Sequence, residues 1–98
     1  MAYSCEDPRY TVTVESGFAD PARWMVRGVL EYRTHLSASA REHIEAEARL
    51  QLMIGIVRES RRGRDLGVRN VDILVEGDPE TARFFRSLHG RLGAGSAA

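Results

Sequence analysis

The chain has 98 residues, 43% of them apolar and seven of them aromatic, and its fourteen basic side chains balance fourteen acidic ones. That composition describes one globular domain with a modest core, needing no metal or disulfide, and excludes a disordered chain. Its one cysteine, Cys5, excludes an internal disulfide, and no apolar run approaches the ~20 residues that a membrane helix needs.

Residues 1–8 read as a flexible arm, with no basic region followed by an apolar one, so no secretory leader is expected and the expected location is cytoplasmic. From Arg9 to Glu15, Tyr10, Val12 and Val14 alternate with Thr11, Thr13 and Glu15. Period two with β-branched residues predicts a strand. Ser16–Pro21 has turn chemistry. Trp24–Thr34 fits two templates. As a helix, Ala22, Met25, Val26, Val29, Tyr32 and Leu36 form a stripe; as a strand, Trp24, Val26, Leu30 and Tyr32 share a face. On the strand reading, Trp24, Tyr10 and Tyr32 pack in the core.

Ser37–Arg49 predicts a helix, rich in alanine and glutamate, with Ser39 and Glu42 at capping-box spacing. Next comes the most apolar block, Leu50–Val57, L-Q-L-M-I-G-I-V. As a helix it would be apolar around its whole circumference, which only an enclosed helix tolerates. Ile54, Ile56 and Val57 are β-branched and Gly55 is a poor helix former, so the block reads as a strand. Arg58–Arg69 then reads as a polar hairpin loop, and Val71–Val75 alternates as a second partner strand. Asp78-Pro79-Glu80 starts a helix with cap, proline and acid in order, whose buried stripe is Ala82, Phe85, Leu88 and Leu92. Residues 93–98 read as a flexible tail.

A shift of 42 residues superposes Tyr10, Val12 and Val14 on Leu52, Ile54 and Ile56, and Ala40-Arg41 on Ala82-Arg83. Such a repeat favours strands at both ambiguous segments. The expected fold is therefore α+β and two-layered: one domain over residues 9–92, with a four-stranded, mostly antiparallel sheet and two helices in the order ββα-ββα. The alternative order is β-α-α-β-α, with Trp24–Leu36 and Ser39–Arg62 as helices and a two-stranded sheet that a partner must complete.

Either version leaves apolar surface open, which points to a small non-catalytic protein-interaction or assembly module, homodimeric or part of a larger complex. In the four-stranded version Met25, Val29, Met53, Val57 and Leu74 lie on the outer sheet face as the expected interface. The second candidate site is Arg58, Arg61, Arg62, Arg64 and Arg69, five guanidiniums in twelve residues that could hold phosphate, nucleic acid or an acidic partner. The bland reading of that cluster is a solvated loop, partly neutralised by Glu59 and Asp65. No aromatic is interleaved for base stacking. All basic residues are arginine, as coding by a GC-rich genome also produces. His35, His43 and His89 lack metal-ligand spacing, so no metal or other cofactor is expected. No nucleophile motif or phosphate-cradling glycine loop is present, and a small enzyme with an unrecognised site is the third reading.

Overall fold

A computed structural model describes residues 2–33 and 37–87. The order of elements is β1 (Ala2–Glu6), β2 (Tyr10–Asp20), β3 (Arg23–Tyr32), α1 (Ala38–Asp65) and β4 (Asn70–Glu76), followed by a second helix, α2, over residues 79–87. The α+β class with a four-stranded sheet is as expected; the order of elements is not. The sheet runs β1-β2-β3-β4. β1 and β3 lie antiparallel to β2, whereas β4 lies parallel to β3, reached through the length of α1.

Three differences separate the structure from the sequence reading. First, the amino-terminal arm holds an edge strand: Ala2–Glu6 pairs with Thr11–Glu15. The intervening Asp7-Pro8-Arg9 turn is closed by Arg9, whose backbone and guanidinium both donate to the Asp7 carboxylate. The side-chain bond is the larger cause, and together they pull the Asp7 carboxyl down to about 2. Second, β2 continues through the expected turn to Asp20. Two residues, Pro21 and Ala22, then close the hairpin, with a register irregularity between Phe18 and Asp20. Asp20 caps the turn through the backbone N–H of Ala22 at 2.9 Å. Third, Leu50–Val57 and Arg58–Asp65 are neither strand nor hairpin loop but the second half of a 28-residue helix.

That third correction removes the 42-residue repeat, because a strand in the first half aligns with helix in the second. The two-stranded alternative also fails, since Trp24–Tyr32 is a central strand paired on both sides. Its long helix over Ser39–Arg62 is nevertheless what forms. The helix holds because one stripe at helical spacing faces the sheet: Ile44, Ala48, Leu52, Gly55, Ile56, Glu59, Ser60 and Gly63 are all buried. The capping residue is Ser37, whose hydroxyl accepts from the backbone N–H of Ala40, so the expected capping box at Ser39 and Glu42 does not form. At the other end Gly67 takes a positive φ of 83°. Gly67 N–H donates to the Arg64 carbonyl at 2.9 Å and Val68 N–H to the Gly63 carbonyl at 3.1 Å. This is a Schellman stop, which satisfies carbonyls that the helix end leaves free.

The core lies between the sheet and α1. Tyr10, Val12, Val14, Trp24, Val26 and Leu30 rise from the sheet to meet Ile44, Ala48, Leu52 and Ile56, with Val68, Val71 and Phe85 closing it. Tyr10 and Trp24 are core residues as expected, and Tyr32 packs half-buried beside them. Close approach depends on missing side chains. A Cβ on Gly55 would meet Tyr3 and Val14 at 2.7 Å, and one on Gly28 would meet Leu52 at 2.9 Å.

α2 starts as its sequence predicts. Asp78 caps it, accepting from the Thr81 hydroxyl, and the Arg49 guanidinium of α1 donates to the same carboxylate at 2.9 Å. Ala82 and Phe85 are buried. Leu88 and Leu92, the rest of that expected stripe, lie outside the described residues, as does the 93–98 tail. No described helix is long and apolar enough to cross a membrane.

Candidate functional site

An apolar block that surrounds a helix has a consequence once the helix lies on a sheet. Half of its circumference is covered and half is not. Leu52, Gly55 and Ile56 face the sheet, while Leu50, Ile54 and Val57 point away from it, 55%, 44% and 42% exposed. Their spacing of four and three residues puts them in one line along the outer surface of α1. The opposed inner and outer stripes explain why neither a strand template nor a one-sided helix template fits the sequence.

The outer stripe runs into the arginine cluster. Met53, Ile54 and Val57 line an open groove of about 610 Å³ together with Arg58, Arg61, Arg62 and Asp65. So the structure gathers three of the five predicted arginines, on the last turns of a helix rather than at a hairpin tip. Arg64 follows on the same helix, and Arg69 stands in the connection to β4; both are exposed. Arg62 and Arg64 lie in the last turn of α1, where a cation is favoured by the helix dipole by about 0.3–1 kcal/mol. Arg58 and Arg61 lie too far from that end to owe their placement to it.

Like Arg33, Arg41, Arg83 and Arg86, the five differ in their partners from four arginines elsewhere in the fold. Arg9, Arg23, Arg27 and Arg49 each pair with a carboxylate. Among the described residues, no carboxylate comes within ion-pairing distance of Arg58, Arg61, Arg62, Arg64 or Arg69.

The predicted interface is divided between two surfaces. Met25, Val29 and Leu74 do lie on the outer sheet face, the side opposite α1. Met53 and Val57 do not; they belong to the outer surface of α1, because the segment that carries them is helical. Around the first three the sheet face is polar, and its arginines are paired. Arg23 bridges to Asp72 and Arg27 to Glu76 across β3 and β4, the latter at 3.1 Å. A second, smaller hollow there is lined by Thr11, Thr13, Glu15, Arg27, Val29, Glu31 and Glu76.

Sequence reasoning missed Leu50 and Ile54 as candidates, because treating the block as a central strand assigns both to buried sheet positions. The signal that finds them is the period of the inner stripe. Ile44, Ala48, Leu52, Ile56, Glu59 and Gly63 recur every three or four residues through the block and past it, and Gly67 then stops the helix. Of the histidines, His43 is exposed on α1, and His35 and His89 lie outside the described residues. Cys5 is half-buried on β1. Among the described residues, no three His, Cys, Asp or Glu side chains gather as metal ligands would.

No family model, curated protein or solved structure matches the chain.

Proposed function

We propose that this protein is a small non-catalytic assembly module whose contact surface is the outer face of α1. The observation that carries the reading is the line of Leu50, Ile54 and Val57, three large apolar side chains exposed in succession on a helix that already buries its other face. Single exposed apolar residues are ordinary; a contiguous line of them marks a contact surface. Apolar centre and charged rim are the anatomy of a protein interface. The outer sheet face, with Met25, Val29 and Leu74, is the weaker candidate, because its arginines are paired within the chain and its apolar residues are separated by charged ones.

Ile54→Glu combined with Val57→Glu tests the surface. Sedimentation over a range of concentrations should show assembly of the wild-type chain and its loss in the variant, with the circular dichroism spectrum unchanged. Assembly that survives both substitutions, or a wild-type chain that never assembles, overturns the reading.

A second reading rests on the five arginines that lack carboxylate partners: binding of nucleic acid or another phosphate-bearing anion along the end of α1. Guanidiniums there would displace counterions from a phosphate backbone. The groove is lined by Met53, Ile54 and Val57 rather than by aromatic rings on which bases could stack, which favours the assembly reading. Changing Arg58, Arg61 and Arg62 together to Glu should abolish a salt-sensitive interaction with an oligonucleotide if this reading holds. Failure of the wild-type chain to bind single- or double-stranded oligonucleotides at low salt removes it.

A further inference from the structure

The outer face of α1 is polarised along its length. Its amino-terminal half presents Glu42 and Glu47 with His43 between them, all exposed, and its carboxy-terminal half presents Arg58, Arg61 and Arg64, with Asp65 the one acid among them. Between the two halves lies the apolar line of Leu50, Ile54 and Val57. Such a surface is complementary to itself in one orientation only. Two copies laid parallel would set arginines against arginines and glutamates against glutamates. Two copies laid antiparallel, about a two-fold axis passing between Met53 and Ile54, set each basic half against an acidic half.

Building on the assembly reading, we propose that the occupant of this face is a second copy of the same chain, with the two α1 helices packed antiparallel. The register follows from the two-fold. Leu50 of one copy faces Val57 of the other, and Ile54 packs beside the axis. Arg61 comes against the small, exposed Ala46 and beside Glu47 of the second copy, and Arg64 comes against its exposed His43 and beside its Glu42. Glu47 engages Arg9 of its own chain at 3.3 Å with one carboxylate oxygen, and its side chain remains 53% exposed. The contact is isologous, so it closes at a dimer and builds no filament. The spacing Leu50, Ile54, Val57, Arg61, steps of four, three and four, is that of a helix-packing seam. At ~1.5 Å per residue the apolar part spans only about 10 Å of a helix some 42 Å long, so the polar halves must contribute by complementarity and the dimer is salt-sensitive.

Cross-linking reads the orientation directly. In a Cys5→Ser background, Leu50→Cys and Val57→Cys chains of different mass are prepared singly and mixed, then treated with a short bifunctional thiol reagent. The antiparallel dimer predicts that the mixed product, Leu50→Cys joined to Val57→Cys, dominates over either self-joined product. A parallel dimer predicts the reverse. Exchanging the charges in every copy, with Glu42 and Glu47 changed to Arg and Arg61 and Arg64 changed to Glu, should leave the antiparallel dimer within about threefold of its original affinity. Half an exchange, Arg61→Glu with Arg64→Glu alone, should weaken it at least tenfold. Self-joined products in excess, or half and full exchanges that weaken assembly equally, overturn the antiparallel second copy while leaving the surface intact. Assembly indifferent to Ile54→Glu overturns the surface itself, and a strictly monomeric 11.0 kDa chain overturns both.

Discussion

The indole N–H of Trp24 donates to the main-chain carbonyl of Glu59, 3.0 Å away, tying the first inner position of β3 to the last turns of α1. Gly63, one turn further along the helix, lies flat against the same indole, so that a Cβ there would enter the ring. The pair fixes where α1 ends on the sheet and therefore where the arginine-lined groove opens. Gly63→Ala should destabilise the fold by about 1–3 kcal/mol, the range for overpacking a filled core, although alanine is the better helix former. Equilibrium urea unfolding checks it. A gain in stability, the outcome expected from helix propensity alone, would show that α1 does not sit so close to Trp24.

Glu59 and Ser60 are adjacent, both buried, and differently satisfied. The Ser16 hydroxyl donates to the Glu59 carboxylate, whereas the Ser60 hydroxyl has no hydrogen-bond partner among the described residues. Leaving a buried polar group unmade costs about 1–3 kcal/mol. Ser60→Ala should therefore be neutral or stabilising by up to about 1 kcal/mol. Ser16→Ala should destabilise, because it strips a buried carboxylate of its donor. Thermal unfolding of the two variants side by side settles the order, and the reverse order would place α1 in a different rotation about its axis.

Acid should loosen the junction of α1 with α2. Burial raises the Asp78 carboxyl, but hydrogen bonds from Thr81 and Arg49 outweigh it, and the net shift is downward from 3.8. A carboxylate whose folded value lies below its unfolded one stabilises fully above the unfolded value, near 4. It loses that contribution as the pH falls through the lower folded value. Asp78→Asn keeps a helix-capping side chain and removes the charge. The variant should lose about 1.5–3 kcal/mol at neutral pH, the worth of a charged hydrogen bond, and its stability should fall less than that of the wild type below pH 4. Parallel pH curves for the two proteins would exclude the Arg49–Asp78 bond as the cause.

Much of the sheet was legible in the sequence. Tyr10, Val12 and Val14, the strand template of Trp24–Tyr32, and Val71–Val75 each alternate with period two, and that period survives because each strand buries one face only. Asp78 and Pro79 marked the start of α2 because capping is a local event. Two things were hidden. Ala2–Glu6 contains no strong pattern, being a short edge strand whose inner residues, Tyr3 and Cys5, are capped by acids and a proline. Leu50–Val57 was misread because β-branching and full-circumference apolarity argue against a helix only when both sides of that helix must be buried within one chain. The site is what that condition left out: the residues that defeat the helix pattern, Leu50, Ile54 and Val57, are the ones α1 leaves about half exposed on its outer side.

The claim that α1 carries one face for the sheet and another for a partner is tested most directly by denaturant midpoints measured against protein concentration. A folded dimer gains stability by mass action, so its midpoint rises with concentration. For the wild type that rise is expected. Leu52→Ala, a deletion in the buried stripe, should lower the midpoint at every concentration, by about 2–5 kcal/mol in stability, and keep the rise. Ile54→Glu should abolish the rise and leave the dilute-limit midpoint within about 0.5 kcal/mol of the wild type, as for a surface substitution. A dilute-limit loss for Ile54→Glu as large as that for Leu52→Ala, or a rise that persists in Ile54→Glu, would contradict the two-faced helix.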